Sequence, residues 1–179
     1  PMVHFTSKII LENSLEMLQL VNGMLDLNKI KEGQLPLAVS SFDVYDLLES
    51  VRRLHQARAT RLNIQVQLST NQQTTLKMTA DPYRLRQVLS HLVDNAITFN
   101  RPKGEVHLQL MHDETANTLT FTVTDTGLGM TREVQEQLFA NLSGLAADFP
   151  AKDKTGVGLG LTLSHQLVQL MGGKLDYRT

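Results

Sequence analysis

The fold of this chain is decided by one stretch near its middle, Gln87-Val88-Leu89-Ser90-His91-Leu92-Val93-Asp94-Asn95-Ala96-Ile97. Apolar residues recur in and around it at helical spacing, which predicts a helix with one buried face. That face comprises Leu85, Val88, Leu89, Leu92, Val93, Ala96 and Phe99. The predicted helix runs from Pro82 to Thr98, with Asp81 as its N-cap.

Asn95 is the chemically distinctive residue of this helix, and it shares a face with His91, four residues earlier. An amide oxygen is a hard ligand of the kind that Mg²⁺ accepts beside water and phosphate oxygens. Taken alone, an asparagine here more often has a surface or capping role than a metal-binding one. The helix therefore raises a magnesium site as a hypothesis that needs support from other segments.

A second cluster follows further along the chain, at Val123-Thr124-Asp125-Thr126-Gly127-Leu128-Gly129-Met130. A predicted strand ends here and delivers a carboxylate, which can accept a hydrogen bond from an exocyclic amine such as that of adenine. The two glycines allow positive φ and a close approach of the backbone to a ligand. The alternative is an ordinary strand–turn with a solvated aspartate.

The third cluster is Thr155-Gly156-Val157-Gly158-Leu159-Gly160-Leu161, which leads directly into a predicted helix. Free N–H groups and the positive end of a helix bind anions, so this arrangement is typical of a phosphate cradle. Its spacing is neither the dinucleotide fingerprint nor a Walker loop. The alternative is a flexible hinge. A metal ligand, a base-reading acid and a phosphate cradle are together what an Mg-ATP site requires.

Composition excludes several other classes of function. The chain has 179 residues, 17 Lys+Arg, 18 Asp+Glu and no cysteine. The formal net charge of -1 argues against a general electrostatic grip on nucleic acid or acidic lipid. Without cysteine there is no disulfide scaffold, iron–sulfur cluster or thiolate zinc site. No apolar run approaches the roughly 20 residues of a membrane span. These features predict a soluble, cytoplasmic protein without direct membrane contact.

The first segment predicts a long helix from Ile9 to Ile30. Leu11, Leu18 and Leu25 repeat every seven positions, a period that suits packing on another helix. Gly33 follows two lysines and marks the helix end. The helix is therefore expected to pair with a segment outside this chain; the alternative is that it docks on its own domain.

The rest of the chain predicts an α+β fold, a mixed sheet covered on one face by about three helices. The predicted helices are Val44 to about Thr60, Pro82 to Thr98, Thr131 to Phe139 and Leu159 to Met171. The predicted strands are Leu35 to Ser40, Ile64 to Leu68, Leu76 to Thr79, Val106 to Leu110, Leu119 to Val123 and Lys174 to Tyr177. Between them, Asn141 to Thr155 has no steady period and is expected to be a mobile loop.

In this order and spacing, the clusters resemble the motifs of sensor histidine kinases of two-component systems, particularly the hybrid kinases. Leu85 to Ile97 resembles the N box, Asp125 to Gly129 the G1 box, Leu138-Phe139 the start of the F box, and Gly156 to Leu161 the G2 box. The helix that ends at Gly33 resembles the second dimerisation helix. The resemblance implies an α/β sandwich shared with gyrase, Hsp90 and MutL. It divides the chain into residues 1–34, a partial dimerisation domain, and residues 35–179, an ATP-binding catalytic domain.

The resemblance also implies the ligands and their residues. Asn95 would bind magnesium, Asp125 would read the adenine amine, and Gly127 and Gly129 would shape the base pocket. The glycines of the third cluster would form the hinge of a lid at about 141–155. The full implied ATP-binding set is Asn95, Phe99, Asp125, Gly127, Gly129, Gly156, Val157, Gly158, Leu159 and Gly160. Implied partners are a dimerisation helix or second kinase subunit and the receiver domain of a response regulator in a phosphorelay.

Several residues depart from the family pattern. No phosphoacceptor histidine is identifiable, because His4 is followed by Phe5-Thr6-Ser7 rather than by an acid and a proline. This chain alone is therefore not expected to autophosphorylate, and whether its parent is anchored in the inner membrane stays open. His91 replaces an asparagine, with either a phosphate-contacting or a structural role. Thr98 replaces a lysine, which would weaken triphosphate binding, and Leu142 replaces a phenylalanine. A degenerate, non-catalytic signalling module that acts by partner binding is the alternative function.

Overall fold

The computed structural model describes residues 2–71, 75–133, 135–136 and 157–178. Its elements in chain order are α1 (Met2–Lys31), β1 (Ser40–Asp43), α2 (Val44–Arg61), β2 (Gln65–Thr70), β3 (Lys77–Ala80), α3 (Pro82–Thr98), β4 (Glu105–Asp113), β5 (Thr118–Asp125) and α4 (Val157–Leu170). The α+β class is confirmed. Within the described residues, no helix combines the length and apolarity that crossing a bilayer requires.

The main sheet of the described part is mixed, in the order β2-β4-β5. Strands β2 and β4 are parallel, with Val66 opposite Val106, and β4 and β5 are antiparallel, with Leu108 opposite Val123. The hairpin between β4 and β5 is closed by the Asp113 carboxylate, which accepts hydrogen bonds from the N–H groups of Thr115 and Ala116. Strands β1 and β3 form a separate antiparallel pair.

Aspartate caps fix the start of the two helices that cover the sheet. The Asp43 carboxylate accepts hydrogen bonds from the N–H groups of Tyr45 and Asp46 at 2.8 and 3.1 Å. The Asp81 carboxylate does the same for Tyr83 and Arg84 at the start of α3. A short polar side chain that satisfies the free N–H groups of the first turn defines a helix start. The predicted bounds of α3 are therefore confirmed.

Two predicted strands are wrong. The first, Leu35 to Ser40, gives way to a strand that begins only at Ser40. Pro36 has no N–H to donate, and the Ala38 N–H goes to the Asp81 carboxylate at 2.8 Å, which ties this segment to the cap of α3. The second, Lys174 to Tyr177, is described and is not a strand. There the Tyr177 N–H is donated to the Asp176 carboxylate, a local bond that competes with strand pairing.

The core lies between α2, α3 and one face of the main sheet. Its fully buried large residues include Leu48, Val51, Leu89, Val93, Ile97, Val106, Leu108 and Leu110. Helix α4 packs mainly on α3 and α1 rather than on the sheet. The buried residues of this second layer are Leu35, Val88, Leu163 and Leu167. Two helices thus cover the sheet directly and the third is stacked on α3.

Helix α1 is longer than predicted and meets the rest of the chain through its C-terminal part. Gly23 is buried so closely against α4 that an added Cβ would lie 3.3 Å from the Leu159 side chain. Asp26 receives two hydrogen bonds from the Arg84 guanidinium of α3, at 2.6 and 3.3 Å. Apolar residues elsewhere on the helix remain more than half exposed or close to it: Met17, Leu18, Leu20, Val21, Met24 and Leu25. This part of α1 both docks on its own domain and keeps an apolar stripe free.

Candidate functional site

Helix α3 carries two rows of side chains that are offset by one residue. The first, called here the α2 row, consists of Ser90, Asp94 and Thr98 and faces α2. The second, called the open row, consists of His91, Asn95 and Phe99. Each row has members four residues apart, so each occupies one side of the helix. The two rows differ in what surrounds them.

Partners from α2 occupy the α2 row. His55 Nε2 lies 2.6 Å from the Ser90 hydroxyl. The Arg58 guanidinium contacts the Asp94 carboxylate with one nitrogen and donates to the Thr98 hydroxyl with another, at 3.0 Å. Thr98 in turn donates to the backbone oxygen of Asp94 at 2.7 Å. Every member of this row is therefore held by the chain itself.

His55 is held in its neutral form. Burial lowers the pKa of His55, and this effect outweighs the Asp94 carboxylate, which acts in the opposite direction. Its Nδ1 lies 3.8 Å from Asp94, beyond hydrogen-bond distance. The proximity of the carboxylate favours the proton on Nδ1, so that Nε2 accepts from the Ser90 hydroxyl. His55 therefore contributes a hydrogen bond and packing to this row, and no charge at neutral pH.

The open row begins at His91, which lies under the first turns of α4. An added Cβ on Gly160 would lie 3.8 Å from Cγ of the imidazole, and the hydroxyl of the buried Ser164 lies 3.5 Å from Nδ1. Burial is the largest influence on the pKa of His91 and lowers it, while Asp94 raises it. A neutral His91 thus joins α3 to the first turns of α4.

Asn95 and Phe99 complete the open row. The Asn95 amide is half-buried, and none of the described residues hydrogen-bonds it. Phe99 is 36 % exposed, so its predicted place on the buried face is wrong. It is the C-cap of α3, and its backbone N–H bonds the oxygen of Asn95. A side chain at a helix end turns away from the apolar stripe, which explains the difference.

The loop after β5 packs against this end of α3. The Leu128 N–H donates to the Phe99 carbonyl oxygen at 3.1 Å. A Cβ on Gly127 would lie 2.5 Å from that oxygen, so only glycine fits without a backbone shift. Gly129 has φ of +67°, in the left-handed region that favours glycine. Packing and backbone conformation therefore explain why glycine occupies both positions, independently of any ligand.

Asp125 stands at the end of β5 with its side chain exposed. One carboxylate oxygen accepts the Gly127 N–H at 2.7 Å, which closes a tight turn. The carboxylate keeps further lone pairs for a donor from outside the chain, since an ionised carboxylate can accept several hydrogen bonds. The turn places Asp125 beside Phe99 and hence next to the open row.

Sequence reasoning missed the residues that hold this loop in place. The Asn100 side chain donates to the Glu105 carbonyl at 3.0 Å, and the Thr126 hydroxyl accepts the Glu105 N–H at 2.9 Å. Thr126 also lies 3.3 Å from the Asn100 amide oxygen. This network ties the end of α3 to the start of β4 and to the loop. Only the clustering of polar residues around a predicted turn hinted at it.

The third cluster is partly described. Helix α4 begins at Val157, so Gly158, Leu159 and Gly160 lie inside its first turns rather than in the loop before it. Leu159 packs against Gly23 of α1. Outside the described residues lie Gly156, the predicted lid at about 141–155, the F-box residues Leu138 and Phe139, and Leu142.

The side chains of the open row suit a magnesium ion that is carried by a phosphate chain. Within the described part, no group of three His, Cys, Asp or Glu residues is arranged to hold a metal. Asn95 offers a single hard oxygen ligand that no other described residue uses. Mg²⁺ in such sites takes its remaining ligands from water and phosphate oxygens. The donor set therefore fits a metal–nucleotide complex better than a bare metal ion.

This α+β domain places a carboxylate at a strand end and residues of two glycine clusters next to helix α3. Such an arrangement is typical of an ATP-binding domain. Residues 80–179 match the family described as "Histidine kinase-, DNA gyrase B-, and HSP90-like ATPase". The chain belongs to this family. The match includes α3, the loop after β5 and α4, which are the three elements that form the site.

Relatives of the chain include sensor histidine kinases. The circadian input-output histidine kinase CikA of Synechococcus elongatus is 34 % identical over 170 residues, which are 94 % of this chain and 22 % of CikA. The chain thus spans about a fifth of the length of that relative. The ATP-binding domain of this chain is therefore homologous to that of sensor histidine kinases.

Solved structures of histidine kinases are similar to this chain in fold. Full-length ShkA in complex with AMPPNP is 27 % identical, has a TM-score of 0.73, and the match covers 90 % of this chain and 32 % of ShkA. The histidine kinase ThkA, solved in complex with the response regulator protein TrrA, is 23 % identical with a TM-score of 0.63. That match covers 92 % of this chain and 43 % of ThkA, and at this identity it supports the fold alone.

Proposed function

We propose that this chain is the ATP-binding catalytic part of a two-component sensor histidine kinase. The reaction is transfer of the γ-phosphoryl group of ATP to the imidazole of a histidine, with ADP as the leaving group. The observation that carries the proposal is the convergence of Asn95, the Asp125 loop and the first turns of α4 on one side of α3. Catalysis of this kind depends mainly on positioning and charge neutralisation, which is what a rigid helix flanked by two glycine clusters supplies.

The proposed roles follow from the position of each residue. Asp125, at the edge of the site, accepts a hydrogen bond from the amine of adenine. Phe99 and Gly127 border the base, because they lie at the contact between α3 and the loop after β5, and Gly129 belongs to the same loop. The start of α4, with Val157, Gly158, Leu159 and Gly160, is assigned to the phosphate side, and Gly156, which lies outside the described residues, is proposed from the sequence to join them. The backbone N–H groups of a helix start attract phosphate.

Magnesium is proposed as the companion of ATP. Asn95 would hold it through its amide oxygen, and the ion would neutralise charge on the phosphate oxygens. This assignment is supported by the absence of any described partner for that amide and by the preference of Mg²⁺ for oxygen ligands. The protein contributes a single ligand in this proposal, and the nucleotide contributes the others.

The acceptor histidine is proposed to lie outside this sequence. Of the six histidines, His55 and His91 are largely buried between helices, and His4 lacks the acid-and-proline context of the family. A dimerisation helix or a second kinase subunit would supply it. The free apolar stripe of α1, which includes Leu18 and Leu25, supports helix pairing of residues 1–34, since a repeat near seven residues is typical of a helix–helix seam.

A response-regulator receiver domain is proposed as the protein that next accepts the phosphoryl group. ThkA, which has the same fold, forms a complex with a response regulator protein. Because the reaction consumes ATP, a cytoplasmic location is part of the proposal. Neither nucleic acid nor a membrane surface is proposed as a partner of this chain, since its formal net charge is only -1.

Calorimetric titration with ATP and ADP, with and without Mg²⁺, tests the proposal. We expect binding that magnesium strengthens, and a loss of about tenfold or more in affinity for Asn95→Ala and Asp125→Ala, since each removes a charged or polar contact to a buried ligand group. Asp113→Ala is the matched control, because Asp113 closes the other end of the hairpin with the same kind of turn. No binding at millimolar nucleotide would contradict the proposal and favour the non-catalytic module.

A second experiment tests the reaction itself. The chain is incubated with labelled ATP, alone and with a purified dimerisation domain of a related kinase. We expect acid-labile phosphate on the added domain and none on this chain. Acid-labile label on this chain alone would show that one of its own six histidines is the acceptor.

A further inference from the structure

Arg58 of α2 connects two residues of α3 on either side of Asn95. Its guanidinium contacts the Asp94 carboxylate and donates to the Thr98 hydroxyl at 3.0 Å. Asp94 immediately precedes Asn95 in the chain, and Thr98 immediately precedes Phe99. The Arg58 and Asp94 side chains are 40 % and 41 % exposed, so both charges reach solvent beside the open row.

Arg58 offsets a negative charge that lies next to Asn95. Asp94 places a full negative charge next to the residue that would face a magnesium–triphosphate complex. The two imidazoles nearby, His55 and His91, do not offset it at neutral pH, because burial lowers the pKa of both. In the described part of the chain, His55 and Arg58 are the basic side chains that lie near the Asp94 carboxylate. Of these two, only the Arg58 guanidinium is permanently charged.

We propose that Arg58 makes the site selective for the phosphate chain of the nucleotide by neutralising Asp94 and holding Thr98. This inference rests on the proposed function, because it concerns ATP binding at Asn95. In this proposal the cation that offsets Asp94 comes from Arg58 of α2, and Thr98 serves as its second contact on α3. Without Arg58, the Asp94 carboxylate repels the polyanion, while the adenine contacts at Asp125 are unchanged.

The test compares affinities for ATP, ADP and adenosine in wild type, Arg58→Ala, Arg58→Lys and the double variant Arg58→Ala/Asp94→Asn. For Arg58→Ala we expect about three- to tenfold weaker ATP binding, a smaller loss for ADP and less than about twofold for adenosine, since Coulomb repulsion grows with ligand charge. Arg58→Lys retains most of the affinity. The loss shrinks in high salt, because salt screens exposed charges.

The double variant separates charge from shape. Removing the Asp94 charge in the Arg58→Ala background restores ATP affinity if neutralisation is the cause. The ratio of ATP to adenosine affinity is the decisive readout, because partial unfolding lowers both affinities by the same factor. Arg53→Ala is the matched control, since Arg53 lies on the same helix and pairs with Glu49, outside the contacts made by Arg58.

Three results overturn the inference. Equal losses of affinity for ATP and adenosine would show that Arg58 has a purely structural role. Unchanged affinity for both ligands would show that Arg58 does not contribute to binding. A selective loss for ATP that the Asp94→Asn change does not restore would exclude neutralisation. Failure of the wild type to bind ATP at all would instead overturn the proposed function, and this inference with it.

Discussion

The two rows of α3 are one residue apart in sequence and opposite in their chemistry. In the α2 row, Ser90, Asp94 and Thr98 each have a partner from α2 or from the helix itself. In the open row, Asn95 has no described side-chain partner and Phe99 is partly exposed. Both rows contain polar side chains, and both lie beside the same buried core.

This difference separates stability from binding within one helix. Polar groups that are satisfied inside the chain contribute to folding, since an unsatisfied buried group is costly. Polar groups that the chain leaves unsatisfied at the edge of a core are available to a ligand. Substitutions in the α2 row should therefore change unfolding more than nucleotide binding, apart from the charge effect proposed for Arg58, and substitution of Asn95 in the open row should do the reverse.

The largest effect is expected for Gly127→Ala, which changes the loop that packs against Phe99 at the edge of the open row. The new Cβ would lie 2.5 Å from the Phe99 carbonyl oxygen and 2.6 Å from the Asp125 carboxylate, so the loop must move. We expect nucleotide affinity to fall by about tenfold or more and stability by about 1–3 kcal/mol, as for other overpacked sites. Calorimetry and urea unfolding measure the two effects.

Gly33→Ala is the control for this substitution. Gly33 has φ of +66° with no atom within 4 Å of an added Cβ, so alanine there is strained but does not clash. A cost of about 1 kcal/mol is expected, with unchanged nucleotide affinity. If Gly127→Ala bound nucleotide as well as Gly33→Ala does, the loop after β5 would not border the site.

His55→Ala tests the α2 row and is expected to have the next largest effect. It removes a side chain that is 11 % exposed and leaves the Ser90 hydroxyl without its partner. The expected loss is about 1–3 kcal/mol of unfolding free energy, with nucleotide affinity changed less than about twofold. His107→Ala, at an exposed pair with Glu105, should cost less than about 0.5 kcal/mol. A larger change in affinity than in stability would contradict the division between the rows.

The sequence predicted α3 and most of the strands and singled out His91 and Asn95 of the open row, but it did not predict the contacts of the α2 row. Helical spacing and the Asp81–Pro82 start predicted α3 correctly, because both are local signals. The contacts of His55 and Arg58 with α3 join residues 35 and more positions apart. Such pairings depend on the crossing of two helices, which no local pattern specifies. From the sequence, Thr98 was interpreted only as the loss of a lysine charge, whereas in the structure its hydroxyl accepts a hydrogen bond from Arg58.

Errors in strand prediction have the same origin. Leu35 to Ser40 has the local pattern of a strand, but Asp81, 43 positions after Ala38, takes its N–H. Phe99 was assigned to the buried face by spacing alone, and the structure ends the helix just before it. In each case a distant or terminal contact overrode a correct local reading. Roles of the individual site residues stay predictions until nucleotide binding is measured.

A smaller effect is expected in the dependence of stability on pH. Burial lowers the pKa of His55 and of His91 from the ordinary value of 6.5. Below that value the unfolded chain takes up protons that the folded chain does not, so stability falls as the pH decreases from about 6.5. In His55→Gln this decline should be shallower. Urea unfolding between pH 7.5 and about 5 measures it, and an unchanged slope would show that His55 is not held neutral.

Glu49 titrates in a different range and does not disturb this measurement. Hydrogen bonds from Arg52 and Arg53 lower the pKa of Glu49 to about 2. A carboxylate with a lowered pKa stabilises the fold above its unfolded pKa of 4.5 and loses that contribution as the pH falls toward 2. Glu49→Gln should therefore cost stability above about pH 5, and this cost should shrink as the pH falls toward 2, while the histidine-dependent decline between pH 7.5 and about 5 keeps its slope.

The smallest effect on stability, and the sharpest test of the comparison, is expected for Asn95→Ala. The asparagine side chain makes no hydrogen bond to a described residue, and alanine is the better helix former by up to about 0.7 kcal/mol. The variant should thus be as stable as the wild type or slightly more stable, like Asn22→Ala on the exposed side of α1. Chemical denaturation of both variants measures this. Destabilisation by more than about 1 kcal/mol would mean that the fold itself requires Asn95. If Asn95 lowers the stability of the nucleotide-free protein and is required for nucleotide binding, then folding alone does not explain its presence.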